Sequence, residues 1–236
     1  MPETMDLAIP PLMWAEAAPD DAFDHAVRRA QAGCDAGLVA HNLTAAQMQA
    51  ALVLAPDVPL SKAVAMLPLC GVGLQSALGA LAPPEVAVEL DWNGGIRVNG
   101  GLCGGFRIRA STPEPDAVPD WLVVGFTLTL LPETDSPGDT PERTALYAEG
   151  CGDVAAPMLL EAWSRHTLNW IARWEDDGPA PLHAEWSGLA HGIGETVDVG
   201  AVRGTFLGID EDFGMLLRDA DTTHLIPLTR LLEPTS

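Results

Sequence analysis

Lysine is nearly absent from this sequence: Lys62 is the single one in 236 residues. Basic residues of any kind number 12 against 33 acidic ones, a formal net charge of −21. A polyanionic surface repels phosphate backbones and anionic headgroups, so the composition argues against nucleic acid and membrane surfaces as partners. The carboxylate excess reads first as a device for solubility. Cysteine is scarce and dispersed, at Cys34, Cys70, Cys103 and Cys151. With no CxxC pair, neither a zinc site nor a disulfide framework is expected, and reduced thiols in a cytoplasmic protein fit best. His166, His183, His191 and His224 lack metal-ligand spacing, so no metal centre is expected. The N-terminus has no basic stretch followed by an apolar run, which excludes a signal peptide. The apolar segment 50–69 is interrupted by Pro56, Asp57, Pro59, Lys62 and Pro68, which argues against a membrane span.

The most informative segment that is present is 89–106, ELDWNGGIRVNGGLCGGF. It reads as a strand, a glycine-rich hairpin and a second strand leading into Gly104-Gly105. Asn-Gly and Gly-Gly steps supply the positive φ angles of tight turns. Around it, a helix is expected from Pro19 to about Ala32, with acidic residues first and Arg28 and Arg29 last, as the helix dipole favours. A short strand is expected over 37–41, a helix rich in Ala and Gln over 44–54, and an apolar strand over 61–67. A helix over 69–81, strands over 86–90 and 121–131, and a solvated loop over 131–143 follow. Residues 156–174 carry Leu159, Leu160, Trp163, Leu168, Ile171 and Trp174 at helical spacing, and 175–181 reads as a turn. From about Leu189 the character changes to short strands with Gly/Asp turns, the pattern of a small SH3-like barrel. The division expected is a main domain over 1–188 and a barrel over 189–236.

In order and frame these pieces resemble the biotin–protein ligase and lipoate–protein ligase superfamily, nearest to biotin ligases without a DNA-binding domain. Where the family carries a Thr-Ala-Gly-Arg-Gly-Arg loop, this chain has Thr44-Ala45-Ala46-Gln47-Met48-Gln49. Asp91-Trp92-Asn93-Gly94-Gly95 stands in register with the family's Lys-Trp-Pro-Asn-Asp, and Leu102-Cys103-Gly104-Gly105 with its Lys-x-Ala-Gly. A Gly-x-Gly-x-Asn strand corresponds to Gly125-Phe126-Thr127-Leu128-Thr129, and 200–218 is similar to the C-terminal barrel. The resemblance implies an α+β fold of the class II synthetase type, a mixed, mostly antiparallel sheet with packed helices. It implies ATP and biotin as cofactor and substrate, and transfer of an acyl group to a lysine of a carrier domain.

That chemistry needs cations, because a carboxylate attacking the α-phosphate brings two anions together. The sequence departs from the family at the positions that would supply them. Gln47 and Gln49 replace the loop arginines, Asp91 the first lysine and Leu102 the catalytic lysine. Each lost charge-assisted contact lowers such a rate by about 100- to 1000-fold. Lys62, Arg107 and Arg109 are the available replacement cations, with Arg107 and Arg109 on one face of a strand. Cys103 beside the missing lysine suggests a thioester route, but a thiol without a neighbouring cation holds little thiolate. No residue is therefore assigned a catalytic role. Thr44, Gln47, Gln49, Trp92, Asn93, Leu102, Cys103, Gly104, Gly105 and Thr129 are the candidate pocket residues. Two readings stand: a binder of a small acyl or biotin-like ligand, or of a carrier domain, with little or no ATP-dependent activity; and a working ligase or acyltransferase that uses the replacement cations. The first is favoured. An acidic carrier is a poor partner for so acidic a chain, and the oligomeric state is not fixed by the sequence.

Overall fold

A computed structural model describes residues 7–132, 142–200 and 202–234. The chain runs β1 (Trp14–Ala17), α1 (Ala22–Gln31), β2 (Leu38–Leu43), β3 (Gln47–Leu54), α2 (Leu60–Ala63), α3 (Met66–Leu81), β4 (Val88–Leu90), β5 (Gly95–Val98), β6 (Gly101–Ala110), β7 (Leu122–Thr129), α4 (Ala156–Asp177) and α5 (Ala180–Leu189). The C-terminal part adds β8 (Thr196–Val199), β9 (Val202–Ile209), β10 (Met215–Arg218) and β11 (Thr223–Ile226). β1 to β7 form one seven-stranded sheet in the order β1-β2-β3-β7-β6-β5-β4. Among the described residues β1 and β2 are its one parallel pair of strands, so the sheet is mixed and mostly antiparallel. The last four strands form a separate antiparallel sheet, β11-β10-β9-β8, consistent with an SH3-like unit.

Alternation along the strands divides the core. Met48, Ala50, Leu52, Ile108, Val124, Phe126 and Leu128 face α3 and α4. Ala51, Val53 and Val123 face Phe23, Ala26, Val27 and Ala30 of α1. α1 starts where Asp21 accepts a hydrogen bond from Asp24 N at 2.9 Å, a side-chain cap for an otherwise unpaired donor. Leu60–Leu81 is long and apolar enough to cross a membrane by length and composition alone, but 67% of it is buried inside the protein as the central core helix. Gly73 lets α3 approach α4 closely, since a Cβ there would lie 2.5 Å from Thr167 Oγ1.

Three local expectations are overturned. Residues 44–54 are not helical: a three-residue turn leads into β3, whose eight residues all pair with β7. Lateral hydrogen bonds and burial on both faces override the local preference of Ala and Gln. Residues 61–67 are not a strand but lie on α2 and the start of α3, so Lys62 rides on a helix. A short apolar run is ambiguous between the two states by periodicity alone. The turn over 175–181 is confined to Gly178 (φ +74°) and Pro179, and α5, which the pattern did not signal, follows at once. α5 buries only Leu182 and Trp186, too little for a visible stripe. The expected loop 131–143 falls mainly on 133–141, outside the described residues.

The hairpin of β5 and β6 is as expected. Asn99 (φ +49°) and Gly100 (φ +84°) occupy its turn, the backbone signature of a two-residue type I′ connection. The small C-terminal sheet shares the main core through Phe206, Phe213, Met215 and Leu217. Phe213 holds φ +63°, and its carbonyl accepts a hydrogen bond from Trp92 Nε1 at 2.8 Å.

The β10–β11 turn carries a titratable pair. His224 Nε2 lies 2.6 Å from Asp219 Oδ2, and Asp219 Oδ1 accepts from the N–H groups of Thr222 and Asp221. The His224 bond first, then those N–H groups, hold the Asp219 carboxyl down at about 2. A depressed carboxyl contributes stability above its unfolded value, about 4, and that contribution is lost as pH falls through the folded value. A carboxyl-carbon NMR titration is expected to place the Asp219 midpoint near 2, and Asp219→Asn to remove the acid sensitivity of this turn. A midpoint at the ordinary aspartate value would contradict the pairing.

Candidate functional site

On the α1 side of the sheet, residues from five strands stand side by side. The register aligns Asn42 with Gln49, Gln49 with Thr127, Thr127 with Gly105 and Gly105 with Gly95. Gln47 aligns with Thr129 one step further. Leu102 pairs with Arg97 and joins this face at its far end. All are half-buried. The result is a floor of amides, hydroxyls, glycine and one leucine, bounded by the start of α1, where Gln49 Oε1 accepts from Ala22 N at 3.2 Å.

Two features shape this floor. The β2–β3 connection is Thr44, Ala45 and Ala46 only, closed by Thr44 N to Gln47 O (2.9 Å) and Gln47 N to Thr44 Oγ1 (3.0 Å). Ala46 O accepts from Leu130 N and Leu131 N, which pins the turn to the end of β7. The second feature is a register shift of β6 against β5 between Ile96 and Arg97, which leaves Cys103 as an extra residue, a β-bulge. Gly104 is obligatory there, because a Cβ would collide with the Thr127 carbonyl. Gly105 is different: a Cβ there would meet only Gly94 O, at 3.6 Å, so its lack of a side chain keeps the floor open rather than relieving a clash.

Three guanidiniums near this face are committed to carboxylates, while Arg143, whose backbone bridges Leu102 at the far end, is exposed and makes no ion pair among the described residues. Arg97 Nε donates to Asp91 at 2.7 Å. Arg107 donates to Glu233 (2.7 Å), Asp21 (3.1 Å) and Asp24 (3.2 Å), and Arg109 to Glu233 (2.7 Å). Both guanidiniums lie over the Phe23 ring, at 4.3 and 5.7 Å from its centre. Burial opposes the charge on Glu233, but Arg107 and Arg109 outweigh it and hold the carboxyl below its usual range. Lys62 is not brought to the sheet. It pairs with Asp212 of the β9–β10 turn, beside a recess of about 340 Å³ that Val58, Ala65 and Trp174 also line.

Trp92 belongs to the other side of the sheet. It is 4% exposed and lines an apolar crevice with Leu67, Phe106, Trp186 and Phe213 that measures about 20 Å³. That volume holds about one water. Cys103 is buried against the same core, with Sγ 3.4 Å from Thr129 O. Burial pushes its thiol up to about 12. Asn93 sits in the β4–β5 turn, where its Oδ1 accepts from Gly95 N. Of the residues singled out by sequence, Gln47, Gln49, Leu102, Gly105 and Thr129 share one face with Arg107 and Arg109. Thr44 closes the adjoining turn, Asn93 lies in a turn at the sheet's edge, and Trp92, Cys103 and Lys62 lie elsewhere. Asn42, Thr127, Asp21, Asp24 and Glu233 were not foreseen. Asn42 and Thr127 follow from strand register, and Asp21 and Asp24 from the first turn of α1; nothing local signals Glu233.

The model of the biotin/lipoate A/B protein ligase family matches residues 9–188, and a domain of unknown function, DUF4444, matches 193–234. A biotin protein ligase-like protein of unknown function from Silicibacter sp. TM1040 is 62% identical, covering 97% of this chain and 100% of its own, with a TM-score of 0.92. Biotin protein ligase from Aquifex aeolicus is 17% identical, with 91% of this chain and 93% of its own covered and a TM-score of 0.70. Biotin protein ligase from Leishmania major in complex with biotinyl-5-AMP is 17% identical, over 92% and 99%, with a TM-score of 0.58. At that identity the last two speak for the fold alone. No curated protein matches the chain.

The glycine pair separates structure from site. Gly104→Ala is expected to destabilise by about 2–3 kcal/mol, as overpacking against backbone does, and Gly105→Ala by under about 1 kcal/mol; urea denaturation of both variants checks this. Equal losses would contradict the bulge. Cys103 is expected to resist maleimide at pH 8 in the folded chain and to react after denaturation, read by mass spectrometry; rapid labelling of the native protein would revive a thiolate role.

Proposed function

This chain belongs to the biotin/lipoate A/B protein ligase family, and from that premise we propose that it binds a small acyl or biotin-like compound on the neutral face of β3, β7 and β6 without adenylating it. The observation that carries the reading is the commitment of three nearby guanidiniums to carboxylates of the chain itself, Arg97 to Asp91 and Arg107 and Arg109 to Glu233, which leaves Arg143 beside Leu102 as an exposed cation without an ion pair among the described residues. Adenylation requires free positive charge at the α-phosphate, already arranged before the reaction. The pinned turn at Thr44–Gln47 supports the same conclusion, because it replaces a segment able to close over an adenylate. Glycine, amides and hydroxyls suit close contact with a neutral polar head group and an alkyl chain. The free cysteines agree with a cytoplasmic setting. A carrier domain is a weaker partner, since a surface of net charge −21 slows encounter with an acidic one.

One observation favours a second reading, a working ligase: Arg107 and Arg109 do project from the same face as the floor. The two readings separate in one set of assays. With ATP and biotin, lipoate or octanoate, pyrophosphate release is expected to stay at the enzyme-free level, while calorimetry without ATP shows saturable binding of at least one of the three acids. Pyrophosphate release that disappears in Arg107→Ala would overturn the proposal in favour of the ligase.

A further inference from the structure

The contacts of Arg107 and Arg109 have the form of a ligand site. Arg107 offers Nε and Nη2 to the two oxygens of Glu233, at 2.7 and 3.2 Å, and Arg109 adds Nη2 to one of them at 2.7 Å. This is two-pronged carboxylate recognition, strengthened by a third donor. The Phe23 ring lies under both guanidiniums. Arg109 Nε is buried with no hydrogen-bond partner among the described residues, a spare donor beside the fork. Asp21 and Asp24 hold Arg107 from the opposite side. Two guanidiniums thus face three carboxylates; with Glu233 withdrawn they face two, and the cluster becomes neutral and still oriented by the start of α1. Such a cluster is set to accept one monoanion.

Glu233 reaches the fork from the edge of β6. β5 pairs with β6 as far as Gly105, and beyond it the C-terminal segment takes over the edge of β6. Leu232 bridges Ile108 there, and Glu233 N donates to Ile108 O at 2.9 Å. Arg107 is two residues along β6 from Gly105 on the same face, so the fork stands at the end of the neutral floor.

We propose that Arg107 and Arg109 form a carboxylate-binding fork in which Glu233 is the resident surrogate, and that a small acyl monocarboxylate lying along Gly105, Thr127 and Gln49 takes the fork by displacing Glu233. The proposal rests on the reading that this face takes a small acyl compound. It adds the direction in which that compound lies. A carboxylate at Arg107 is five residues along β6 from Leu102, about 16 Å, so it is turned away from the position matching the family's catalytic lysine and stays unactivated.

Calorimetry of the full chain with octanoate and with octanamide, which keeps the acyl chain and lacks the anion, tests this. Glu233→Gln is expected to tighten octanoate at least tenfold and to leave octanamide unchanged, with the gain lost in Glu233→Gln/Arg109→Gln. In the wild-type chain, where no substitution can perturb folding, octanoate is expected to shift the Arg109 Nε–H NMR signal and octanamide to leave it in place. If both compounds bind and respond alike to Glu233→Gln, or if the Arg109 signal ignores octanoate, the fork proposal falls while acyl binding stands. If neither binds in any variant, both fall.

Discussion

Two guanidiniums on a half-buried strand face must be neutralised where they stand, because an unpaired charge taken out of water is expensive. Arg107 and Arg109 are neutralised by carboxylates from widely separated parts of the chain: Asp21 at the cap of α1, Asp24 in its first turn, and Glu233 near the C-terminus. The pairing ties the start of α1 and the C-terminal segment to β6. Phe23, 3% exposed, seals the cluster by lying over both guanidiniums and against Gly125, where a Cβ would approach its ring to 2.9 Å. The positive charge of the face thereby lies at its two ends, Arg107 and Arg109 at one and Arg97 and Arg143 at the other, and the floor between is left with amides, hydroxyls and glycine.

The two sides of the sheet do different work as a result. Toward α3 and α4, aromatic packing excludes water: Phe106 and Phe126 lie 5.4 Å apart, and Phe126 meets Trp163 edge-on at 5.0 Å. Trp92 is part of this dry side through its bond to the Phe213 carbonyl, so it joins the two sheets instead of lining a roomy cavity. Toward α1, the row from Asn42 to Gly95 is laterally paired and half-buried. A single register shift at Cys103 decides which side each residue of β6 joins. It turns the thiol into the core, and leaves Leu102 and Gly105 on the floor.

Much of this architecture was legible where the signal is local and strong. Asn99-Gly100 announced the hairpin, the Leu and Trp stripe announced α4, and short strands with Gly/Asp turns announced the second sheet. What failed was decided at long range. The Ala and Gln of β3 favour a helix until β7 and β2 pair with both edges, and the apolar run at 61–67 fits strand or helix equally. In the candidate site, Gln47, Gln49, Gly105 and Thr129, picked out by their order in the family frame, lie on one face of the sheet, an arrangement that strand register supplies and the sequence did not show. Neither the partner of Lys62, Asp212, which is 150 residues away, nor Glu233, which meets Arg107 across 126 residues, was foreseen. Ion pairs of such separation leave no trace in local composition.

The charge of the whole chain bears on what such a face can bind. At a net −21, a nucleotide triphosphate approaches against the field of the protein, and only local cations shielded from that field would reverse the sign near the floor. Arg97, Arg107 and Arg109 are paired with carboxylates of the chain within hydrogen-bond distance, far inside the screening length of about 8 Å at physiological salt, which lowers the positive potential they offer to phosphates. A monoanion needs far less. It can exchange one for one with a resident carboxylate, donor for donor, without changing the charge of the cluster. The geometry of the cluster thus suits the holding of an acid, and the sheet, its bulge and its glycines are held by packing and backbone hydrogen bonds that do not depend on those cations.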